Sequence, residues 1–121
     1  MKQSLKFLVI LAGVLTTTAF STTDTGAAAA PRRIEITAKR FTFDPGEITL
    51  KKGEPVVLVV KSADVGHGIR IRELNLDVSV RAGGTAEVQF TPAKTGDFVG
   101  HCSVFCGSGH GGMAIKLHVV D

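Results

Sequence analysis

The sequence predicts an all-β domain folded as a Greek-key sandwich, and three observations lead to that class. Several short segments alternate apolar and polar residues, which is the period of a half-buried strand. Turn signals rich in glycine separate these segments. No segment has a convincing helical period. Seven to nine short strands at this spacing are typical of an antiparallel sandwich of Greek-key type.

The predicted strands are justified in chain order by their patterns. Alternation marks 34–37 and 48–51, whereas 55–60 (PVVLVV) is a continuous apolar run that suits a strand covered on both faces. Alternation returns in four later segments, 69–72, 76–80, 86–90 and 115–119. Turns are predicted between them at 44–46, 52–54, 82–84 and 94–96. Four aromatic side chains are expected to fill the core: Phe41, Phe43, Phe90 and Phe98.

The first thirty residues are predicted to lie outside the folded domain. Residues 1–21 have the layout of a secretory signal peptide, with two early lysines, an apolar run and a small-residue cleavage site at 19–21. An uncleaved membrane anchor is the alternative, but the apolar run is shorter than the roughly 20 residues that span a bilayer. Residues 22–30 (TTDTGAAAA) read as a low-complexity spacer. The folded domain is therefore expected to cover 31–121, in the periplasm or another extracytoplasmic space.

The charge balance excludes two classes of partner. The formal net charge is +3, but from residue 22 onward 12 basic residues face 11 acidic ones. No basic cluster remains that could drive nucleic-acid binding, and no amphipathic helix is visible for a membrane surface. We expect no nucleic-acid partner, and no membrane span once the signal peptide is cleaved.

The chemistry of the sequence is concentrated in HCSVFCGSGHGGM, residues 101–113. This segment holds both cysteines of the chain, two histidines, a methionine and four glycines. Thiolate, thioether and imidazole together form a soft ligand set that selects copper. The glycines allow the loop to curl so that side chains three and four apart converge. His67 lies on another predicted turn, and it can reach the same pole because sandwich loops cluster at two ends.

Two simpler interpretations of this segment remain open on the residues alone. Paired cysteines in an exported protein often form a disulfide. Two cysteines and two histidines are also a common zinc set, against which the methionine counts. His118 alternates with apolar neighbours and is expected to face water. His101 points away from Cys102 by strand alternation and is expected to be exposed.

The spacing Cys102-x3-Cys106-x3-His110-x2-Met113, with His67 in Asp64-Val65-Gly66-His67, resembles the copper A (CuA) motif. This motif belongs to the cupredoxin domain of cytochrome c oxidase subunit II and of nitrous oxide reductase. Further segments sit where that family expects them, namely 75–77 and 90–96. The resemblance implies a cupredoxin-like fold and two copper ions. It also implies a role for each ligand: Cys102 and Cys106 bridge both ions, His67 and His110 bind one each, Met113 is a weak axial ligand, and Val104 contributes its backbone carbonyl.

Three departures from the family pattern affect the expected function. Val104 replaces the usual glutamate, and the aromatic patch that receives electrons in the oxidase has no counterpart. We also expect no membrane hairpin before the domain. We therefore expect an independent one-electron carrier with a partner such as a c-type cytochrome. The alternatives are a copper-handling protein with a copper-receiving partner, and a structural module held by a disulfide. An enzyme is not expected, because every ligand position is filled and none is open to substrate.

Overall fold

The computed structural model describes residue 13 and residues 30–121. The predicted signal peptide and spacer lie almost entirely outside the described residues and stay predictions. Residues 30–121 form nine strands: β1 (Arg32–Lys39), β2 (Thr42–Asp44), β3 (Glu47–Lys51), β4 (Val56–Ser62), β5 (His67–Ile71), β6 (Leu76–Val80), β7 (Thr85–Phe90), β8 (Gly96–His101) and β9 (Ala114–Val120). Single turns of 3-10 helix occur at Arg72–Leu74 and His110–Gly112.

The strands form two sheets that face each other across one apolar core. One sheet has the order β2-β1-β4-β7 and the other the order β3-β9-β8-β5-β6. The chain crosses between the sheets after β2, β3, β4, β6 and β7, as expected of a Greek-key sandwich. The all-β sandwich predicted from alternation is confirmed.

The expectation of a purely antiparallel sandwich is wrong for two strand pairs. β1 pairs with β4 in parallel, and β3 pairs with β9 in parallel, while the other pairings are antiparallel. The reason is the route of the chain. It leaves the first sheet after β2, forms β3 in the second sheet, and returns to place β4 beside β1 in the same direction.

Because apolar and polar residues alternate along the strands, every second side chain points into the core. In β1 the inward residues are Ile36 and Ala38, both fully buried, and in β9 the inward residues follow the same period. β4 is buried at every position from Val56 to Val60, as its continuous apolar run predicts. Its outer face is covered because an ion pair between Arg33 of β1 and Glu87 of β7 lies across it. The aliphatic parts of these charged side chains shield the valines beneath them.

The four predicted core aromatics differ in depth. Phe43 is buried, whereas Phe41, Phe90 and Phe98 are half-buried and pack against the core from its margin. β2, which carries Phe43, was not predicted, because three residues are too few to show a period. Within the described residues, no helix is both long enough and apolar enough to cross a membrane.

Candidate metal centre

Three neighbouring strands bring the sequence-predicted donors to one pole of the sandwich. β9, β8 and β5 are adjacent, and Met113 precedes β9, Cys102 follows β8, and His67 begins β5. Two backbone hydrogen bonds hold these ends together. The N–H of Cys102 donates to the carbonyl of Met113 at 3.0 Å, and the N–H of Ser103 donates to the carbonyl of Gly68 at 3.2 Å. Donors that are far apart in sequence therefore meet because their strands are paired.

The loop between β8 and β9 folds back in a single helical turn. The N–H of His110 donates to the carbonyl of Gly107 at 3.1 Å, and the N–H of Met113 donates to the carbonyl of His110 at 3.2 Å. Gly107 has a φ of 132°, which a residue with a side chain rarely adopts. This turn brings His110 and Met113 to the same cysteine, Cys106.

The distances between the donor atoms form a continuous chain. The two thiol sulfurs of Cys102 and Cys106 are 3.8 Å apart. Cys102 Sγ lies 3.9 Å from His67 Nδ1 and 3.2 Å from the carbonyl oxygen of Val104. Cys106 Sγ lies 3.7 Å from His110 Nδ1 and 3.7 Å from Met113 Sδ. The structure thus brings together all six residues that the sequence singled out.

The donors are withdrawn from water except on one side. His67 and Met113 are 0% exposed, and each cysteine is 6% exposed, whereas His110 is half-buried. Burial, followed by the neighbouring Cys102 thiol, raises the pKa of the Cys106 thiol. A raised pKa means that the metal-free thiol keeps its proton at neutral pH, so metal binding must release it.

The cysteines are not joined in this structure. A sulfur separation of 3.8 Å is far longer than the roughly 2.05 Å of a disulfide bond. Within the described residues both thiols are free.

Asp64 is a functional residue to which sequence reasoning assigned no role. Its carboxylate lies 2.6 Å from His67 Nε2, on the side of the ring opposite the sulfur, and accepts hydrogen bonds from the N–H groups of Arg40 and Val65. These contacts, the Arg40 N–H first and His67 next, lower the pKa of Asp64 to about 2. An ionised Asp64 selects the tautomer of His67 that has its proton on Nε2 and leaves Nδ1 free to accept a metal. The Asp-Val-Gly-His spacing was the available signal.

The two histidines left out of the site lie away from it. His101 is exposed on β8, as strand alternation predicts. His118 is half-buried rather than simply facing water, because it lies between two carboxylates on neighbouring strands, Asp97 at 2.5 Å and Glu47 at 3.5 Å.

The donor set has a defined chemical preference. Two thiols, two imidazole nitrogens, a thioether and a carbonyl oxygen suit a soft or borderline metal ion and do not suit calcium or magnesium. The fold and the cluster together define a class of protein. The chain is a small β-sandwich domain that carries a cluster of soft donors on the loops at one end.

Comparison with known proteins places the chain within this class. A family model described as a cupredoxin-like domain matches residues 8–115. The chain belongs to the cupredoxin-like family. It is 30% identical over 80 residues to cytochrome c oxidase subunit 2 of Thermus thermophilus, an alignment that covers 66% of this chain and 59% of that protein. It is 33% identical over 90 residues to the nitrous-oxide reductase of Cupriavidus necator, which covers 71% of this chain and 14% of the reductase. The chain therefore spans less than two thirds of either relative.

Solved structures with the same fold point to the same relatives. The periplasmic domain of cytochrome oxidase subunit II of Bradyrhizobium japonicum superposes with a TM-score of 0.67 at 25% identity, covering 74% of this chain and 84% of that one. A subunit II domain captured as a mixed disulfide intermediate with a thioredoxin-like protein superposes with a TM-score of 0.62 at 26% identity, covering 74% and 82%. The resemblance stated from the sequence motif is confirmed at the level of the family.

Proposed function

We propose that this protein is an exported cupredoxin that holds two copper ions in a CuA-type site and transfers one electron at a time. The observation that carries the proposal is the chain of donor distances of 3.2–3.9 Å that links His67, Val104, Cys102, Cys106, His110 and Met113. In that site Cys102 and Cys106 are shared between the ions. His67 and His110 would each bind one ion, and Met113 and the Val104 carbonyl would complete the donor set.

The layout of the donors supports two ions over one tetrahedral zinc. Donors of a single zinc ion lie at most about 4.6 Å apart, given metal–ligand distances of roughly 2.0–2.3 Å. His67, Cys102 and Cys106 come close to that limit, since their donor atoms all lie within 4.8 Å of one another. His110 is not a member of this compact group and contacts it through Cys106 alone. A second ion that also binds Cys106 would give His110 and Met113 a role.

Each residue would contribute to an electron carrier in a specific way. Copper bound by these donors supplies a one-electron couple. The paired strands hold Cys102, His67 and Met113 on a rigid frame, which limits their movement when the charge of the site changes. Burial of four donors excludes water and foreign ligands. His110 is half-buried, and the ring of Phe105, which is 78% exposed, lies 5.5 Å from the His110 ring.

The second candidate function is copper handling, with delivery to a receiving protein. One observation favours it: Val104 stands where the oxidase family usually has glutamate, so that oxidase-specific side chain is missing. Delivery requires that a partner reach the metal, yet both cysteines are only 6% exposed. We therefore favour the carrier. Because all donor positions would be filled, we propose no enzymatic activity.

One experiment on a single sample distinguishes electron transfer from copper delivery. Copper-loaded protein is cycled between a chemical reductant and an oxidised c-type cytochrome in the presence of a competing Cu(I) chelator. The carrier retains its copper through repeated reversible cycles and reduces the cytochrome. Rapid loss of copper to the chelator on reduction, with no reversible couple, would replace the carrier with copper delivery.

Export and the identity of the partner belong to the same proposal. Residues 1–21 are proposed to be removed, which would place the domain with a c-type cytochrome or a copper-receiving protein outside the cytoplasm. The intact mass of the protein recovered from cells tests this. A mass beginning near Thr22 supports export with cleavage, whereas a mass that retains residues 1–21 in a membrane fraction means an anchor.

A further inference from the structure

The turn between β1 and β2 touches the metal loop through an aromatic ring. Phe41 is half-buried in this turn and packs against the margin of the core. Its ring lies so close to the loop that a Cβ placed on Gly107 would meet ring carbons at 3.1 Å. A Cβ on Gly109 would overlap the same ring more severely, and contacts below about 3.0 Å are not tolerated without movement. The ring therefore lies directly against the backbone between Cys106 and His110.

The four glycines of the loop differ in backbone conformation and in the space around them. Gly109 is the one for which contact with Phe41 is the reason that no side chain fits. Gly107 has a positive φ, but Gly109 has an ordinary φ of −89° that any residue adopts. Gly109 is thus needed for the approach of Phe41 and not for its own backbone conformation. Gly111 and Gly112 have open space around an added Cβ. The expectation that all four glycines serve to curl the loop therefore holds in the structure only for Gly107.

The same turn also supports the other half of the donor cluster. The backbone N–H of Arg40 donates to Asp64 Oδ2 at 2.8 Å, and Asp64 Oδ1 lies 2.6 Å from His67 Nε2. The dipeptide Arg40-Phe41 therefore contacts both halves of the cluster. The backbone N–H of Arg40 binds Asp64, which holds His67, and the ring of Phe41 packs on the loop that carries Cys106 and His110. Neither residue is itself a donor.

We propose that Phe41 is a positioning residue for the metal centre, whose ring presses on Gly107 and Gly109 and fixes the path of the loop that carries Cys106 and His110. The consequence is a cluster that is assembled before metal binds, because an ordered loop does not have to be fixed at the moment of binding. This inference rests on the proposed metal site for its purpose, but the contact itself exists in the metal-free chain.

The experiment uses the full chain and begins with the metal-free protein. Reaction of the two cysteines with an aromatic disulfide reagent and hydrogen exchange of residues 102–113 report on the loop without any metal. We expect Phe41→Ala to speed both by about tenfold or more, because the loop opens locally. Phe90→Ala is the matched control, since Phe90 is also half-buried but pairs with Val56, at the end of β4 remote from His67. It lowers the unfolding midpoint without changing the thiol rate.

A pair of glycine substitutions tests the contact from the other side. Gly109→Ala is expected to reproduce the effect of Phe41→Ala, whereas Gly111→Ala, in open space on the same loop, stays at the wild-type rate. In the Phe41→Ala background, Gly109→Ala adds nothing, because the ring that it would meet is gone. If Phe41→Ala does not fold, Phe41→Leu and the two glycine variants carry the same comparison.

Copper-loaded protein gives a further measurement, which would not change if Phe41 only stabilised the fold. Copper-loaded Phe41→Ala is expected to lose metal to a chelator about tenfold faster, with a changed visible spectrum, as variants of residues that orient ligands do. Thiol and exchange rates within about twofold of wild type, or equal effects of Gly109→Ala and Gly111→Ala, would overturn the proposal. If wild-type protein binds no copper, the proposed function fails, while the metal-free readouts still decide the role of Phe41.

Discussion

Cys102 and Met113 differ in the number of donors that each one touches. Cys102 Sγ lies within 3.9 Å of donor atoms of His67, Val104 and Cys106, whereas Met113 Sδ contacts Cys106 alone among the donors, at 3.7 Å. Removing Cys102 would break contacts to three donors, whereas removing Met113 would break a contact to one. The two sulfur side chains should therefore respond very differently to substitution.

Met113→Leu is expected to keep copper and to shift the reduction potential. Leucine conserves the volume of this fully buried side chain, so the metal-free fold should lose less than about 1.5 kcal/mol. In the proposed site this thioether would be a weak donor, which would tune the potential more than the affinity. Urea unfolding, metal analysis and voltammetry measure the three quantities. Loss of most of the copper would show that Met113 is a principal ligand.

Asp64→Ala is expected to weaken copper binding roughly 10–100-fold, since ligand-orienting partners contribute that much. The substitution removes the acceptor that holds His67 by its Nε2. Asp77→Ala is the control, because Asp77 is also ion-paired, but to Arg70 away from the donors. Chelator competition gives the affinities. Equal copper affinity in both variants would mean that His67 is oriented by packing alone.

At the residue scale, spacing in the sequence predicted the residues that the structure brings together in one cluster, but not the residues that support them. Cysteine, histidine and methionine are rare in this chain and their spacing is specific, so they could be found by pattern. Asp64 and Phe41 act through contacts that depend on how the β1–β2 turn packs against two loops. A common residue type in an ordinary turn carries no pattern that predicts such a contact.

At the scale of strands, the alternation of apolar and polar residues predicted which segments form strands but not which strands pair. Alternation identified β6 at its observed bounds and placed β9 within one residue at each end. The parallel pairs β1–β4 and β3–β9 could not be predicted, because the direction of a neighbour depends on where the chain crosses between sheets. Periodicity within one strand holds no information about that crossing.

His118 joins three strands of the second sheet and should make their stability depend on pH. It lies on β9 between Asp97 of β8 and Glu47 of β3, and the hydrogen bond to Asp97, more than that to Glu47, raises the pKa of His118 above its ordinary 6.5. A raised folded-state pKa gives stabilisation that is fully present below about pH 6.5 and is lost as pH rises through the folded value.

His118→Gln should therefore cost more stability at pH 6 than at pH 9. Urea unfolding midpoints of wild type and variant at both pH values measure the difference, with His101→Gln, an exposed histidine on the adjacent strand β8, as the control. A His118→Gln effect that is the same at both pH values would show that the carboxylates do not interact with a charged imidazole.

At the scale of the whole molecule, the sandwich and the metal loop should have separable stabilities. The core is made by strands that bury their own inward faces, and the buried cluster spans both sheets. The metal-free domain is therefore expected to show strand signal in circular dichroism. Copper bound only by the native state should raise the melting temperature, because such a ligand adds stability by mass action. A metal-free chain without strand signal would contradict this.

The central claim is that the two cysteines are shared by two metal ions, and the number of coppers per chain tests it most directly. We expect two coppers per chain in wild-type protein, together with the absorption of an electron shared between them. Cys102→Ser should lose that shared signature, because one bridging sulfur is gone. One copper per chain, with a spectrum that Cys102→Ser leaves unchanged, would contradict the account.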